Sequence, residues 1–226
     1  MHGGNPGARA NAASWPEVRV ACVWLPQLPL RMEVLRHPAW DGRPLVLAGG
    51  PGEGRVVKLC SPEAERAGIR PGLPLREVLA LCREAIILQP DPVRIEALLR
   101  ELLGKLQRVS PAVELGAEHL FLDLRGLRGV YRGDLGLLER AVRAVVPLLL
   151  QPRIGVAGGP FTALVAARLA PPSGMRVVPS PETAKLLAPL PIGFLPLPPD
   201  ALRRLDLLGL RSIADLAALP FAAVQA

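Results

Sequence analysis

The stretch RVVKLCSPEAERAGIRPGLPL, residues 55–75, is the most informative segment of this chain. Its apolar start, residues 55–60, predicts a strand, and residues 61–67 predict a short helix directly after it. The RPGLP segment at 70–74 predicts a turn, because proline and glycine interrupt regular structure. A second helix is expected over residues 75–82. The stretch therefore predicts a strand, two short helices and a tight turn between the helices.

The segment before this stretch predicts two further strands. Residues 18–25, VRVACVWL, form an apolar run typical of a buried strand, which Pro26 ends. A short helix is expected within residues 30–40. Residues 45–48 predict a strand that pairs with residues 55–60 through a glycine-rich hairpin loop. The loop lacks the Lys-Ser/Thr that follows a phosphate-binding Walker loop.

The segment after this stretch alternates between helices and strands. Residues 95–109 place apolar side chains at helical spacing and charged side chains on the opposite side. Further predicted elements are strands at 112–115, 119–124, 153–157 and 177–178, a helix at 135–149 near Pro147, and a helix from Pro160. This order is that of a split ferredoxin-like βαββαβ unit with an insertion after its first strand. We therefore expect an α/β (α+β) sandwich.

The C-terminal segment is rich in proline and leucine and predicts a helical hairpin. Gly209 suits the end of one helix, and Ser212 followed by Asp215 predicts a capping box at the start of the next. The turn, with Gly209 and Arg211, is a candidate contact for a DNA phosphate through backbone N–H groups. A plain helical tail is the alternative.

Bulk composition restricts the class of protein. Half of the 226 residues are apolar, which suffices for a core, and no apolar run approaches the roughly 20 residues of a membrane helix. Residues 1–16 are small and polar, and we expect a disordered tail there. Three cysteines without CxxC spacing argue against a disulfide framework and a zinc site and favour a reducing cytoplasm.

The charge balance favours a phosphate-bearing partner. The formal net charge is +7, and nearly all cations are arginines, since lysine occurs only at Lys58, Lys105 and Lys185. The guanidinium fork matches phosphate oxygens, so DNA is the expected partner. The alternative is that an arginine-rich composition merely reflects a GC-rich genome.

Several stretches, in order and spacing, resemble the Y-family (UmuC/DinB-like) DNA polymerases over residues 18–220. The stretches are VWLPQLPLRMEV (23–34), HPAWDGRPLVL (37–47), residues 55–75, VELGAEHLFLDLRG (113–126) and IGVAGGPFTALVAARLAPPSGMRVV (154–178). The shared structural positions are Glu33, Glu63, Ala64, Gly68, Gly72, Pro74, Leu122, Asp123 and Gly155. The resemblance implies a palm (17–26 and 92–179), a fingers insertion (27–91) and a small, helix-hairpin-helix-like helical thumb (180–226), with a truncated thumb as the alternative. The little-finger domain is expected to be absent.

The sequence differs from the active members of this family at the positions of their catalytic residues. Active members hold two Mg²⁺ ions with carboxylates, because divalent cations must neutralise the triphosphate and the attacking oxygen together. The matching positions here are Trp24 and Pro26, with Glu118 and His119 on the second motif. Neither tryptophan nor proline ligates a metal through its side chain, so we expect no metal site, no cofactor and no catalytic residues.

The nucleotide-binding positions are altered as well. Pro62 and Glu65 match a tyrosine and an arginine that touch the triphosphate in active members, and Glu65 would repel that group. Pro29 matches the aromatic residue that excludes ribonucleotides, and Leu164 matches a lysine. Candidates for DNA contact are Arg66, Arg70 and Arg76 around the fingers loop, with a solvated basic face as the alternative.

This pattern resembles the ImuB-type proteins, catalytically inactive relatives that act in bacterial mutagenic repair. The resemblance implies a cytoplasmic, nucleoid-associated, non-membrane adaptor that binds primed or damaged DNA during SOS-type translesion synthesis. Its implied partners are an ImuA-type protein, the sliding clamp and an error-prone C-family polymerase. Two alternatives remain: an active error-prone polymerase with Mg²⁺ ligands relocated to Glu114, Glu118 and Asp123, and an α/β interaction domain without a nucleic-acid role.

Overall fold

The computed structural model describes residue 15 and residues 18–50 and 52–220. The strands in these residues are β1 (Val20–Trp24), β2 (Leu45–Ala48), β3 (Val57–Cys60), β4 (Ile86–Leu88), β5 (Val113–Leu115), β6 (His119–Asp123), β7 (Arg153–Ala157) and β8 (Met175–Val178). The helices are α1 (Leu28–Arg36), α2 (Pro62–Arg66), α3 (Leu75–Leu81), α4 (Pro92–Leu106), α5 (Leu135–Val145), α6 (Pro160–Arg168), α7 (Thr183–Leu187), α8 (Pro199–Leu207) and α9 (Ile213–Ala217). None of these helices is both long and apolar enough to cross a bilayer.

The main sheet has the topology that the order of elements predicts. Its strand order is β5-β6-β1-β7-β8, and β1 lies antiparallel to both β6 and β7. The first four strands in this order, with α4 and α5 as crossovers, are the split ferredoxin-like arrangement. β8 adds a parallel edge strand beside β7 after α6. The predicted α/β fold class is confirmed.

The two faces of this sheet have different environments. Side chains alternate along β1, so Ala21 and Val23 enter the large core together with residues of α4 and α5. Cys22 faces the other way and packs against the buried alanines of α6. Trp24 lies partly buried beside this second cluster. We call this second side, with α6 and Trp24, the α6 face.

Helix α6 lies unusually close to the sheet because Gly155 has no side chain. A Cβ built on Gly155 would lie 2.0 Å from the carbonyl oxygen of Ala163 and 2.3 Å from the amide nitrogen of Ala167. Both atoms belong to the helix backbone, so the helix rests directly on β7. Pro160 occupies the first turn of α6, as predicted, because its missing N–H needs no partner there.

A second, three-stranded sheet has the order β3-β2-β4. The predicted hairpin of β2 and β3 is confirmed, and Pro51 of its loop lies outside the described residues. The third strand, β4, was not predicted, because three apolar residues alone do not distinguish a strand from a loop. It pairs in parallel with β2. Gly68 and Gly72 adopt φ values of 88° and 89°, which explains glycine at both turns after α2.

Three predictions need correction at their boundaries. The first helix spans Leu28–Arg36, earlier than predicted, and a single 3₁₀ turn follows it. The helix expected to reach residue 149 ends at Val145, because Pro147 cannot continue it and residues 148–150 form a 3₁₀ turn. The tail prediction does not hold for Trp15, which is buried, with its ring centroid 5.8 Å from that of Tyr131. Residues 1–14 and 16 lie outside the described residues.

The C-terminal helices α8 and α9 form the predicted hairpin. Gly209 follows α8 with a φ of 78°, the left-handed conformation that commonly ends a helix. At the start of α9, the Ser212 hydroxyl accepts the Asp215 N–H at 3.2 Å, and the Asp215 carboxylate accepts the Ser212 N–H at 2.8 Å. The capping box is therefore confirmed.

Candidate functional site

The structure brings the four predicted degenerate positions together at one end of the two central strands. Trp24, the last residue of β1, lies directly opposite His119, the first residue of β6. The Leu25 N–H donates to the Glu118 carbonyl at 2.9 Å, and Pro26 follows directly. Residues that are far apart in sequence thus share one corner of the α6 face, which we call the Trp24 corner.

Two arginines, which the sequence did not single out, surround Trp24. The guanidinium carbon of Arg153 lies 5.4 Å from the centroid of the Trp24 ring, and that of Arg168 lies 5.9 Å from it. Both distances are within the range of a cation–π interaction. Arg153 lies opposite Trp24 in the β1–β7 pairing, and Arg168 is the last residue of α6. This corner therefore holds fixed cations.

Burial and the positive charge of Arg168 shift the pKa values of three side chains near Trp24. Desolvation raises the pKa of the Glu118 carboxyl, and the charge of Arg168 acts in the opposite direction. Desolvation lowers the pKa of His119, Arg168 lowers it further, and Glu114 opposes both. Burial raises the pKa of the Cys22 thiol to about 12, although Arg168 lowers it. His119 is therefore neutral at neutral pH, and Cys22 is a protonated thiol.

The packing of His119 indicates a structural side chain. A Cβ on Gly116 would lie 2.3 Å from Nε2 of His119, so the imidazole occupies the space that the glycine leaves open. The ring also meets Phe121 edge-on, with centroids 4.7 Å apart. These contacts fix the imidazole within the β5–β6 turn.

A cavity of about 590 Å³ lies at the other end of the α6 face. Its lining includes Arg19, Gln107, Glu114, Phe121, Asp123 and Arg125. Asp123 accepts hydrogen bonds from Arg125 with both carboxylate oxygens, from Nε to Oδ1 at 3.0 Å and from Nη2 to Oδ2 at 2.6 Å. Hydrogen bonds from Arg125 accordingly hold the pKa of the Asp123 carboxyl below its usual range.

The three carboxylates of the relocated-ligand alternative do not form one cluster. Glu114 and Asp123 line the cavity, whereas Glu118 precedes β6 at the Trp24 corner. Five residue steps of extended chain separate Glu118 from Asp123, on the order of 16 Å. Within residues 18–50 and 52–220, no group of three or more His, Cys, Asp or Glu side chains is placed to hold a metal ion.

The predicted nucleotide-binding positions lie near the start of α1 and the end of β3. Pro62 begins α2 and lines a cavity of about 340 Å³ together with Gln27. The Gln27 amide donates to the Cys60 carbonyl at 3.1 Å and thereby joins these two segments. Pro29 lies in the first turn of α1, Glu65 is exposed on α2, and Leu164 packs beside the Cys22 cluster. None of these positions carries a positive side chain.

Arg66, Arg70 and Arg76, the three candidate arginines for DNA contact, each interact with a residue close to them in sequence. Arg66 pairs with Glu63 at 2.8 Å, and Arg76 lies 3.8 Å from the carboxylate of its neighbour Glu77. Arg70 donates to the carbonyls of Glu65 and Ile69. The side chains of Arg66 and Arg76 are 74% and 85% exposed, so they remain accessible candidates for phosphate contact.

The hairpin turn does not have the free N–H groups that the sequence suggested. The N–H of Gly209 donates to Asp206, that of Leu210 to Leu205, and those of residues 211 and 212 to the Asp215 carboxylate. The next two N–H groups donate to the carbonyls of Leu190 and Ala188. This expectation is therefore corrected, and Arg211 retains only its exposed side chain as a candidate contact.

The fold and the arrangement of its two sheets define a Y-family polymerase-like protein, and the structural comparisons agree. DinB from Sulfolobus solfataricus aligns with a TM-score of 0.69 at 21% identity, covering 92% of this chain and 62% of that one. The insertion ternary complex of Dbh DNA polymerase aligns with a TM-score of 0.72 at 21% identity and the same coverage. At these identities the likeness concerns the fold.

The sequence comparisons identify the family. The model of the impB/mucB/samB family matches residues 23–168, more than half of the chain, and this chain belongs to that family. It is 28% identical over 205 residues to DNA polymerase IV of Dehalococcoides mccartyi and 30% identical over 195 residues to that of Alkalilimnicola ehrlichii. These alignments cover 89% and 84% of this chain but only 53% and 54% of the relatives. The chain thus spans about half the length of these curated relatives.

Proposed function

We propose that this protein is a non-catalytic, Y-family polymerase-like subunit that binds DNA and acts as an adaptor in SOS-type translesion synthesis. The observation that carries the proposal is the Trp24 corner. The resemblance to active polymerases assigns metal-binding carboxylates to the positions of Trp24 and Pro26. Here an indole ring and two guanidinium groups occupy that corner instead.

Electrostatics makes such a corner unsuitable for two-metal catalysis. Two Mg²⁺ ions require several oxygen ligands, and Glu118 supplies the only carboxylate among the four degenerate positions. Arg153 and Arg168 would repel a divalent cation, since like charges in a partly desolvated site interact more strongly than in water. The same cations favour the phosphate groups of DNA.

DNA binding is supported independently by the charge of the chain and by its structural neighbours. The net charge is +7, and arginine carries almost all of the positive charge. Several neighbours are described as ternary or binary complexes of Dbh DNA polymerase. The ImuB-type resemblance adds the proposed partners: an ImuA-type protein, the sliding clamp and an error-prone C-family polymerase.

Primer extension tests the proposal directly. The protein is incubated with a primed template, all four deoxynucleotides and Mg²⁺ or Mn²⁺, at concentrations where an anisotropy titration shows DNA binding. We expect binding without extension, and the D. mccartyi DNA polymerase IV serves as the positive control. Extension that persists through stringent purification would refute the non-catalytic function. Absence of DNA binding even at low salt would instead favour an interaction domain without a nucleic-acid role.

An active polymerase is the second candidate, favoured by the names of the curated relatives and by the shared cavity of Glu114 and Asp123. It predicts template-directed extension that Asp123→Ala abolishes. Asp134→Ala is the matched control, because Asp134 caps α5 outside this cavity. Extension that is equal in both variants would exclude Asp123 as a relocated ligand.

A further inference from the structure

We infer that Trp24 and Arg168, supported by Arg153, form a phosphate-binding site that needs no divalent metal ion. The inference rests on the proposed DNA-binding function and assigns a specific contact to it. The ligand chemistry is a phosphate oxyanion, which either a nucleic-acid backbone or a nucleotide polyphosphate can supply.

Arg153 positions the site and donates hydrogen bonds to carbonyl groups at the C-terminal end of α6. Its Nη1 donates to the carbonyls of Arg168 and Ala170 at 3.3 and 3.2 Å. The last carbonyls of a helix carry partial negative charge, and Arg153 compensates it here. Its buried Nε has no hydrogen-bond partner among the described residues. Because Arg153 is held by the protein itself, Arg168 is left as the cation available to a ligand.

Arg168 is accessible and lacks a carboxylate partner at close range. It is exposed at the end of α6, and it forms no ion pair within 4.0 Å in the part of the chain that the structure describes. By contrast, Arg31, Arg100 and Arg143 each have an acidic partner within 2.7 Å. The free N–H edges of a guanidinium beside an aromatic ring form a planar donor set that matches phosphate.

The local charge favours an anion over a cation. Desolvation raises the pKa of the Glu118 carboxyl and the charge of Arg168 opposes that rise, while desolvation and Arg168 both lower the pKa of His119. Two guanidinium groups therefore face one carboxylate at this corner. A phosphate group would complete the charge balance, whereas a divalent cation would increase the excess of positive charge.

The α6 face also provides a path for an extended ligand. From Trp24 to Val20, β1 runs about 13 Å towards the cavity that contains Phe121 and the exposed Arg19. A nucleic-acid strand with one phosphate at Arg168 would thus reach a cavity whose lining includes Arg19 and the exposed Arg125. This continuity favours the backbone of a strand as the physiological source of the phosphate.

The salt dependence of DNA binding tests the contact at Arg168. Anisotropy titrations of a labelled primed template, at several salt concentrations and with EDTA present, compare the unsubstituted protein with Arg168→Gln. Losing one phosphate contact should make the negative slope of log K, the association constant, against log salt shallower by about 0.7 to 0.9. It should also weaken binding roughly tenfold. Arg100→Gln removes the same charge from α4, on the opposite side of the sheet, and should leave the slope unchanged.

Arg168→Lys separates charge from geometry. Lysine keeps the charge but loses the planar fork, so the salt slope should persist while affinity falls. Thermal denaturation checks that each variant is folded. An Arg168→Gln slope equal to that of the starting protein, or binding that EDTA abolishes, would overturn the inference.

Pyrophosphate distinguishes the two sources of phosphate. The chain has three tryptophans, whose indole N–H signals separate in a ¹⁵N correlation spectrum, and Trp24→Phe assigns one of them. A shift of the Trp24 signal with both pyrophosphate and a single-stranded oligonucleotide supports a general phosphate site. A shift with pyrophosphate alone assigns the site to nucleotide polyphosphates, and no shift with either ligand overturns the inference.

If primer extension occurs while Arg168→Gln keeps its salt slope, both proposals fail; if extension is absent and the slope is unchanged, only the phosphate site fails.

Discussion

Among the described glycines, Gly155 is the one where an added methyl group would meet the closest atom, so Gly155→Ala should be strongly destabilising. The added Cβ would lie 2.0 Å from the Ala163 carbonyl oxygen, whereas ordinary contacts begin at 3.4 Å. Relief of the clash requires α6 to move away from β7 by about 1.4 Å, the difference between these two distances. Because the opposing atoms are helix backbone, no side-chain rotation avoids this movement.

The movement would loosen the packing of the residues of α6 that are buried against the sheet. Overpacked cores usually lose about 1 to 3 kcal/mol, and a gap of 0.5 to 1 Å already forfeits a quarter to a half of the dispersion energy of a contact. We therefore expect Gly155→Ala to lower the free energy of unfolding by about 3 kcal/mol or more. For a chain of this size, that corresponds to a fall of roughly 6 to 12 °C in the Tm.

Urea denaturation followed by circular dichroism measures this loss. Gly104→Ala is the matched control, because Gly104 is exposed on α4 and a Cβ there meets no atom within 4 Å. That variant should be stabilised by up to about 1 kcal/mol, since alanine favours a helix over glycine. A Gly155→Ala protein within 1 kcal/mol of the starting protein would refute the direct contact between helix and strand.

Three further predictions concern single side chains. Tyr131→Phe should lower the unfolding free energy by about 1 to 3 kcal/mol in urea denaturation, because the Tyr131 hydroxyl donates to the buried Val109 carbonyl at 2.6 Å; an unchanged midpoint would contradict this bond. Ser212→Ala should lose about 1 kcal/mol of α9 stability and speed amide exchange in α9 without affecting β1. At pH 8, a thiol reagent should modify the partly exposed Cys82 but spare Cys22, whose pKa burial raises to about 12, and mass spectrometry locates the label; labelling of native Cys22 would show that its burial is transient.

The proposed function depends on the chemistry of the Trp24 corner. At the Trp24 corner, an indole ring and two guanidinium groups lie where the family resemblance implies metal-binding carboxylates, and we propose that this arrangement favours phosphate without a metal ion. The rest of the fold, including the close contact of α6 with Gly155, keeps the corner in place. Under the proposed function, the protein would dock on DNA through the fold of a polymerase while another polymerase performs synthesis.

The sequence by itself determined the local elements. Pro160 at the start of α6, the hairpin of β2 and β3 and the Ser212 capping box were all predicted and confirmed. Each depends on residues a few positions apart, so its energetics are visible in a short window. The βαββαβ order also follows from these elements in sequence, because chain connectivity admits few ways to arrange them.

Only the tertiary structure decided how distant segments meet. Trp24 and Arg153 are neighbours because β1 and β7 pair in one register, and a shift by one residue would turn the side chains to the other face. Burial of Trp15 and the use of the hairpin N–H groups by Asp215 and Leu190 also depend on such contacts. Long-range pairing is selected by the packing of the whole core, which no short window of sequence contains.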